Sequence, residues 1–385
     1  MVFRKILIDP IKSLIEHGRM GGILLILATI LSVFVSNSAS GSDYIKIWDT
    51  HIRVFFLDKS ILRWINDALM PLFFLLVGIE IKRELVTGEL SRFKQAILPV
   101  IAALGGMIAP AVIFFIFNSG HPESIHGWAI PTATDIAFSL GVLSLMGDRV
   151  PFSLKVFLTA LAIIDDLGAI VIIAIFYAGE LHPLMFLFSA LVLLAIFLLK
   201  RLKVKWSSPY LLLGVLLWYF IMKSGIHSTI AGVLLAMIIP SSLAEKLENQ
   251  LNMPVYYLIL PLFALSNTAI PLSGSVIGQL FSPVGLGIIL GLIIGKPLGI
   301  VSFSWVMVKA KWSEMPQDAS WKQMISIGMT AGIGFTMSIF VASLSFSTVL
   351  LTQVSKLAVF TGSLISAIFG IIALYLTLPK NKVCK

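Results

Sequence analysis

Cysteine is almost missing from these 385 residues, and the one present, Cys384, lies in a basic tail. No disulfide can close within the chain, and a cysteine-based metal site is excluded. Charge is scarce too. Asp, Glu, Lys and Arg make up 12% of the residues, against about 25% in ordinary soluble domains. Hydrophobic residues make up 58%. A water-soluble core of this size would leave far too much apolar surface facing water, so the solvent for most of the chain is expected to be lipid. No soluble domain, linker or low-complexity tract interrupts the pattern. Residues 1–385 read as one membrane domain.

The first twenty residues, MVFRKILIDPIKSLIEHGRM, are basic but broken by Asp9, Pro10 and Glu16. They hold no apolar run followed by a small-residue cleavage site, so no cleaved signal peptide is expected and the first span does the targeting. The net charge of +9 raises nucleic acid as a partner. The basic excess sits instead in short loops between apolar segments, where a membrane protein needs it.

A spanning helix needs about 20 mostly apolar residues. That ruler finds twelve segments, near 18–36, 64–81, 95–117, 126–147, 152–178, 182–199, 206–222, 224–240, 253–270, 284–308, 324–346 and 355–378. The segment near 206–222 is short, and the one near 64–81 opens on Asn66 and Asp67. Most of the 28 basic residues fall in the even-numbered connections and the two termini. This alternation follows the positive-inside rule with both termini cytoplasmic, and an odd helix count would break it. One outside loop, residues 37–63, is longer and more polar than the rest. Within it YIKIWDTHIRVFF alternates as a strand would, so the loop is either an extracytoplasmic hairpin or irregular.

A charge at the bilayer centre costs about 2.5–3.5 kcal/mol even on a lenient insertion scale, so such residues are functional candidates. Four stand out: Asp135, Asp165, Asp166 and Lys296. Asp165 and Asp166 lie deep inside FLTALAIIDDLGAIVIIAIF, and an aspartate stem is too short to snorkel. Neighbouring helix positions point about 100° apart, so one carboxylate can face an ion while the other faces a partner. Two adjacent carboxylates in a low dielectric repel each other, and they titrate as a coupled pair. Either protons or a hard alkali cation such as sodium can neutralise them. That competition is the chemistry of an exchanger. A purely structural salt-bridge node would need matching cations, and Lys296 is the one basic residue at that depth for three aspartates.

Asp135 lies in WAIPTATDIAFSLGVL. Pro131, Thr132 and Thr134 predict an interrupted helix unwound near 130–134. The half-helix starting near Asp135 would present a positive end that Asp135 neutralises, and Thr134 would offer oxygen to a cation. A simple proline kink with a capping aspartate is the plainer alternative. Lys296 lies in PVGLGIILGLIIGKPLGIVSFSWV, where Gly291, Gly295 and Gly299 let another helix approach. It needs a carboxylate partner, for which we choose Asp165. It serves either as a counter-ion or as a proton carrier. In MTAGIGFTMSIF, residues 329–340, Gly332 and Gly334 predict a second interrupted helix. Broken helices in corresponding positions of two halves point to a transporter site. The repeats would then run over approximately 95–178 and 284–378. An odd number of spans in each forces an inverted relation.

Together these residues resemble the NhaA family of bacterial sodium/proton antiporters. The likeness runs along nearly the whole chain. It rests on WINDALMPLFFLLVGIEIKREL (64–85), WAIPTATDIAFSLGVL (128–143), FLTALAIIDDLGAI (157–170), KSGIHSTIAGV (223–233), LILPLFALSN (258–267), LIIGKPLGI (292–300) and GIGFTMSIFVASL (332–344). The resemblance implies an all-α integral membrane protein of the bacterial inner membrane, with twelve transmembrane helices, inverted-topology repeats and two interrupted helices crossing at mid-membrane. It implies that Asp165 and Asp166 bind Na⁺ or Li⁺ and protons, with Thr134 and Asp135 in the same ion site, and that Asp135 and Lys296 balance the half-helix ends. It implies electrogenic exchange by alternating access, no cofactor, and a homodimer held partly by the 37–63 hairpin. It places pH sensing at Glu80, Arg83, Glu84 and Glu248, with His227 a further candidate. By spacing alone Glu80 and Glu84 are an ordinary solvated helix end, and His227 can be merely structural. Family members can carry histidines just after the glutamate that Glu248 matches, where this chain has Asn249 and Asn252.

A sodium-coupled solute symporter is the main alternative, but the spans offer few buried Asn, Gln or Arg for an organic substrate. An intramembrane aspartyl protease needs carboxylates facing across a water, and two adjacent on one helix diverge. A passive channel fits poorly with internal repeats and a lysine opposite the site.

Overall fold

The computed structural model describes residues 9–379. The expectations placed on Arg4, Lys5, the terminal lysines and Cys384 lie outside them. The described chain is helical apart from one small hairpin. Among the described residues, seven helices are long and apolar enough to cross a membrane, or up to nine if each of two bent pairs is one span. Three of the twelve expected segments fall short for a physical reason. Ser207–Lys223 and Thr229–Ile238 are shorter apolar helices. The segment expected near 253–270 is the apolar end of a helix that begins with the polar stretch Ser241–Pro254, passes through a π-helical turn at Val255–Ile259 and stops at Asn267.

The chain forms two compact units. The first takes the chain up to Ile23, Thr87–Ala169 and everything from Ile270 onward. Its centre is the contact between the Phe93–Asn118 helix and the Pro283–Lys309 segment. There the backbones touch. A Cβ on Gly299 would lie 2.0 Å from the Gly105 carbonyl oxygen, and one on Gly105 would lie 2.4 Å from that of Gly299. Gly295 meets Pro110 in the same way, its Cβ position 2.7 Å from the proline Cα. Small residues are what permit such approach in lipid, where packing rather than hydrophobicity drives helix association. Gly291–Gly295 is a π-helical turn that runs directly into Lys296.

Two helices of this unit are broken. Ile125–Thr132 is wound as a 3₁₀ helix, Ala133 is extended, and Asp135 caps the new helix Ile136–Leu145. The unwinding therefore starts at Ala133, in the later part of the expected 130–134. A 3₁₀ turn accepts proline's fixed φ. The second break separates Trp321–Ala331 from Phe335–Ser345, which bend by 45°. It sits at the expected glycines. A Cβ on Gly332 would meet the Leu292 carbonyl oxygen at 2.5 Å, and one on Gly334 would meet Ser338 Oγ at 2.2 Å.

The second unit takes Leu24–Val86 and Ile170–Ala269. Its hairpin pairs β1 (His51–Val54) with β2 (Leu57–Ser60) in antiparallel register, His51 opposite Ser60. The stretch YIKIWD, whose alternation suggested a strand, belongs instead to a helix, Gly41–Asp49. Lys59 of β2 donates to Asp67 at 2.5 Å, which ties the hairpin to the Ile61–Val86 helix. That helix packs on Thr229–Ile238, where Gly232 lies against the Pro71 carbonyl.

Candidate functional site

The first unit gathers its polar groups where the two breaks meet. Asp165 and Asp166 sit midway along Phe152–Phe176. Asp165 and Lys296 are both wholly buried, and Asp166 is 1% exposed. The Lys296 ammonium donates to Asp165 Oδ2. The π-helical turn before Lys296 is the local irregularity that precedes it, and π-turns recur at functional sites. Thr134 Oγ1 lies 2.6 Å from the same Oδ2 and 3.0 Å from the Ala331 carbonyl oxygen. Oδ1 of Asp165 accepts no hydrogen bond among the described residues. Removing these charges from water costs several kcal/mol each, a cost their contact partly offsets. One ammonium cannot neutralise both carboxylates.

Asp135 has a different task. Its Oδ1 accepts from the Phe138 amide at 3.0 Å, capping its own half-helix. Its Oδ2 accepts from the Thr336 amide at 3.0 Å and from the Thr336 hydroxyl at 2.5 Å. One carboxylate thus faces the N-terminal ends of both half-helices, where the helix dipole favours negative charge. The opposite, carbonyl end of Trp321–Ala331 is satisfied by the first break: Ser139 Oγ donates to the Thr330 carbonyl at 3.1 Å, and the Asp135 amide donates to the Ile333 carbonyl at 2.7 Å. Apart from Phe138, which is half-buried, the residues in this exchange are buried, so each partner replaces a water the site excludes.

Three participants were not picked out from the sequence. Thr336 is one, Ser139 another. The third is Ser363, whose Oγ accepts from the Gly334 amide at 3.3 Å and the Phe335 amide at 3.2 Å. Each is an ordinary hydroxyl in an apolar span, and the partner lies far off in sequence. The glycines at the break were the available signal, since a helix start inside a span leaves amides that need acceptors.

The expected pH-sensing residues fall in the second unit. Arg83 is ion-paired with Glu248, and its Nε lies 3.8 Å from Glu84 Oε1. Glu80 and Glu84 are 2% and 7% exposed, so this is not an ordinary solvated helix end. Lys82 donates to the Ala236 and Ile239 carbonyls at the end of Thr229–Ile238. His227 stands apart from them. Its electrostatic neighbours are Asp67 and Lys59, and Asp67 precedes Glu80 by about 20 Å of helix.

The donor set around Asp165 consists of hard oxygens: two carboxylates and a threonine hydroxyl. It suits protons or an alkali cation. Among the described residues no group of three or more His, Cys, Asp and Glu side chains is placed to hold a metal ion.

Comparison with known proteins agrees with this chemistry. The family described as Na+/H+ antiporter 1 matches residues 12–374. The chain is 45% identical over 389 aligned positions to the Na(+)/H(+) antiporter NhaA of Sulfurovum sp. (strain NBC37-1), covering 97% of this chain and 99% of that one. It is 46% identical to the Na(+)/H(+) antiporter NhaA of Proteus mirabilis (strain HI4320), covering 97% and 98% of the two chains. Against the Na(+)/H(+) antiporter NhaA 2 of Erythrobacter litoralis (strain HTCC2594) it is 44% identical, covering 95% and 94%.

Proposed function

The chain belongs to the Na+/H+ antiporter 1 family, and from that premise we propose that it exports Na⁺, or Li⁺, in exchange for protons by alternating access in a bacterial inner membrane. It is a multi-pass membrane transporter rather than an enzyme, and works without a cofactor. The observation that carries the reading is the shared oxygen: Asp165 Oδ2 holds the Lys296 ammonium and the Thr134 hydroxyl in a fully buried setting beside Asp166. A sodium ion arriving there competes with the ammonium.

In the proton-loaded state Asp165 is paired with Lys296 and Asp166 is protonated. Sodium takes oxygens from both aspartates and from Thr134. The proton on Asp166 leaves, and Lys296, displaced from Asp165, gives up a second. Two protons for one sodium moves net charge, so the exchange is electrogenic. Asp135, placed with the ion-binding residues, also balances the half-helix ends: its two oxygens accept from amides and a hydroxyl there. The breaks serve as the crossing point of twelve spans built from inverted repeats near 95–178 and 284–378. Both termini are cytoplasmic, and the protein is a homodimer with the 37–63 loop in its interface. Glu80, Arg83, Glu84 and Glu248 set its response to pH, with His227 a separate candidate.

The test is proton release from everted vesicles holding Na⁺ and H⁺ as the only transportable solutes, which also separates exchange from solute symport. Asp166→Asn abolishes Na⁺-driven recovery of a pH-dye signal. On purified protein, sodium affinity weakens as pH falls. Sodium binding indifferent to pH would overturn the reading.

A further inference from the structure

Three consecutive amides open the Phe335–Ser345 half-helix: those of Gly334, Phe335 and Thr336. Asp135 takes the third. The first two go to one hydroxyl, Ser363 Oγ, which projects from the Val349–Thr377 helix and is 4% exposed as a residue. The same stretch of that helix rests on the π-helical turn before Lys296: a Cβ on Gly362 would lie 3.0 Å from Leu292 Cδ1. Ser363 therefore stands where the second break and the turn leading to Lys296 meet one helix.

We propose that Ser363 is a positioning residue for the cation site, which fixes the second break so that Ala331 and Asp135 hold Thr134 and the first half-helix in register with Asp165. The linkage is short. Ser363 fixes the Gly334 and Phe335 amides. The break they belong to presents the Ala331 carbonyl to Thr134 Oγ1, and that hydroxyl lies against Asp165 Oδ2. Without the Ser363 hydroxyl, two buried donors lose their acceptor, and the nearest carboxylate that can answer them is Asp135. Every shift of Asp135 toward them loosens its bond to Phe138 and moves the first half-helix. Buried amides left without a partner are costly, so the break readjusts rather than tolerate them.

The inference rests on reading Asp165 as the cation site. The test compares Ser363→Ala, Ser363→Cys and Ser363→Thr in everted vesicles, over a range of sodium concentration and pH. The acceptor strength of the side chain falls from Thr to Cys to Ala. The sodium concentration for half-maximal exchange is expected to rise about tenfold in Ser363→Ala, less in Ser363→Cys, and to return close to wild type in Ser363→Thr. The maximal rate changes far less, and the pH profile moves with the sodium constant. If Ser363→Ala does not accumulate, the Cys and Thr variants carry the comparison. Wild-type exchange with unchanged sodium constant and pH profile in the Cys and Ala variants overturns the positioning role alone. Absence of sodium-dependent proton movement in wild type overturns the cation-site reading on which it stands.

Discussion

Asp135 accepts both the amide and the hydroxyl of Thr336, a residue 201 positions further along the chain. With its other oxygen on the Phe138 amide, this one carboxylate joins the two interrupted helices at their positive ends. Charge and geometry coincide there, because a helix start in a dry interior wants an acceptor and a negative one most of all.

Asp135→Ala should therefore remove two caps at once. Loss of a single cap costs about 0.5–2 kcal/mol, so about 1–4 kcal/mol is expected here, read as a lower melting temperature in detergent. Asp135→Asn keeps one carbonyl acceptor and turns an NH2 donor toward the other half-helix, so it should fall between wild type and alanine. An asparagine variant as unstable as alanine would mean that charge alone, not capping, is what Asp135 supplies.

Much of this site was legible before any coordinates. An aspartate pair in an apolar span cannot be neutral filler, and a lysine at the same depth has to find a carboxylate. The short list of buried charges pointed Lys296 to an aspartate, but nothing in the sequence separated Asp165, which the ammonium meets, from its neighbour Asp166. Pro131 and the glycines at 332 and 334 announced the two breaks, although the first unwinds at Ala133 because Pro131 is absorbed into a 3₁₀ stretch. What stayed hidden was non-local. Ser363 and Thr336 are small hydroxyls with no local oddity, and their value comes from amides brought to them by folding. The helix at Gly41–Asp49 was misread because its alternation also fits a short amphipathic helix, with Asp43 and Lys46 paired three residues apart. Burial of Glu80 and Glu84 was invisible too, since spacing on one helix says nothing of what packs on it.

The helix contact at Gly105 and Gly299 gives a packing test. A methyl on Gly299 has its Cβ 2.0 Å from a backbone oxygen, which has no rotamer to change. Gly299→Ala must push the helices apart, at about 1–3 kcal/mol or more, and exchange should fall with stability because Lys296 rides on the displaced segment. Gly120→Ala is the control: nothing lies within 4 Å of its Cβ position. Equal behaviour of the two variants in melting and exchange assays would contradict the observed approach.

In the proposed reading, Arg83 and Glu248 belong to the group that sets the response to pH. They are ion-paired with side chains 18% and 13% exposed, with Glu84 next to Arg83. Glu248→Gln removes one carboxylate from this group without changing its shape. The pH of half-maximal exchange should move by about one unit, since one unit corresponds to about 1.4 kcal/mol of altered interaction. The sodium constant at saturating pH should stay near wild type, because Asp165 and Asp166 are untouched. A profile that superimposes on wild type across the full pH range would remove Glu248 from the pH-sensing group.

The buried pair of Lys296 and Asp165 allows the sharpest separation of stability from transport. Lys296→Ala leaves two adjacent carboxylates with no ammonium, and removing one partner of a buried pair costs about 3–5 kcal/mol. Asp165→Asn strands the ammonium in the same way, although Asp166 lies next along the helix and softens the loss. Removing both charges together avoids either penalty. The double variant Asp165→Asn with Lys296→Met should melt in detergent closer to wild type than Lys296→Ala does, and yet show no electrogenic exchange. Both halves of that outcome are needed. If the two substitutions lower the melting temperature additively, the pair is not an energetic unit. If the double variant still moves net charge with sodium, the proton it needs comes from neither Lys296 nor Asp165.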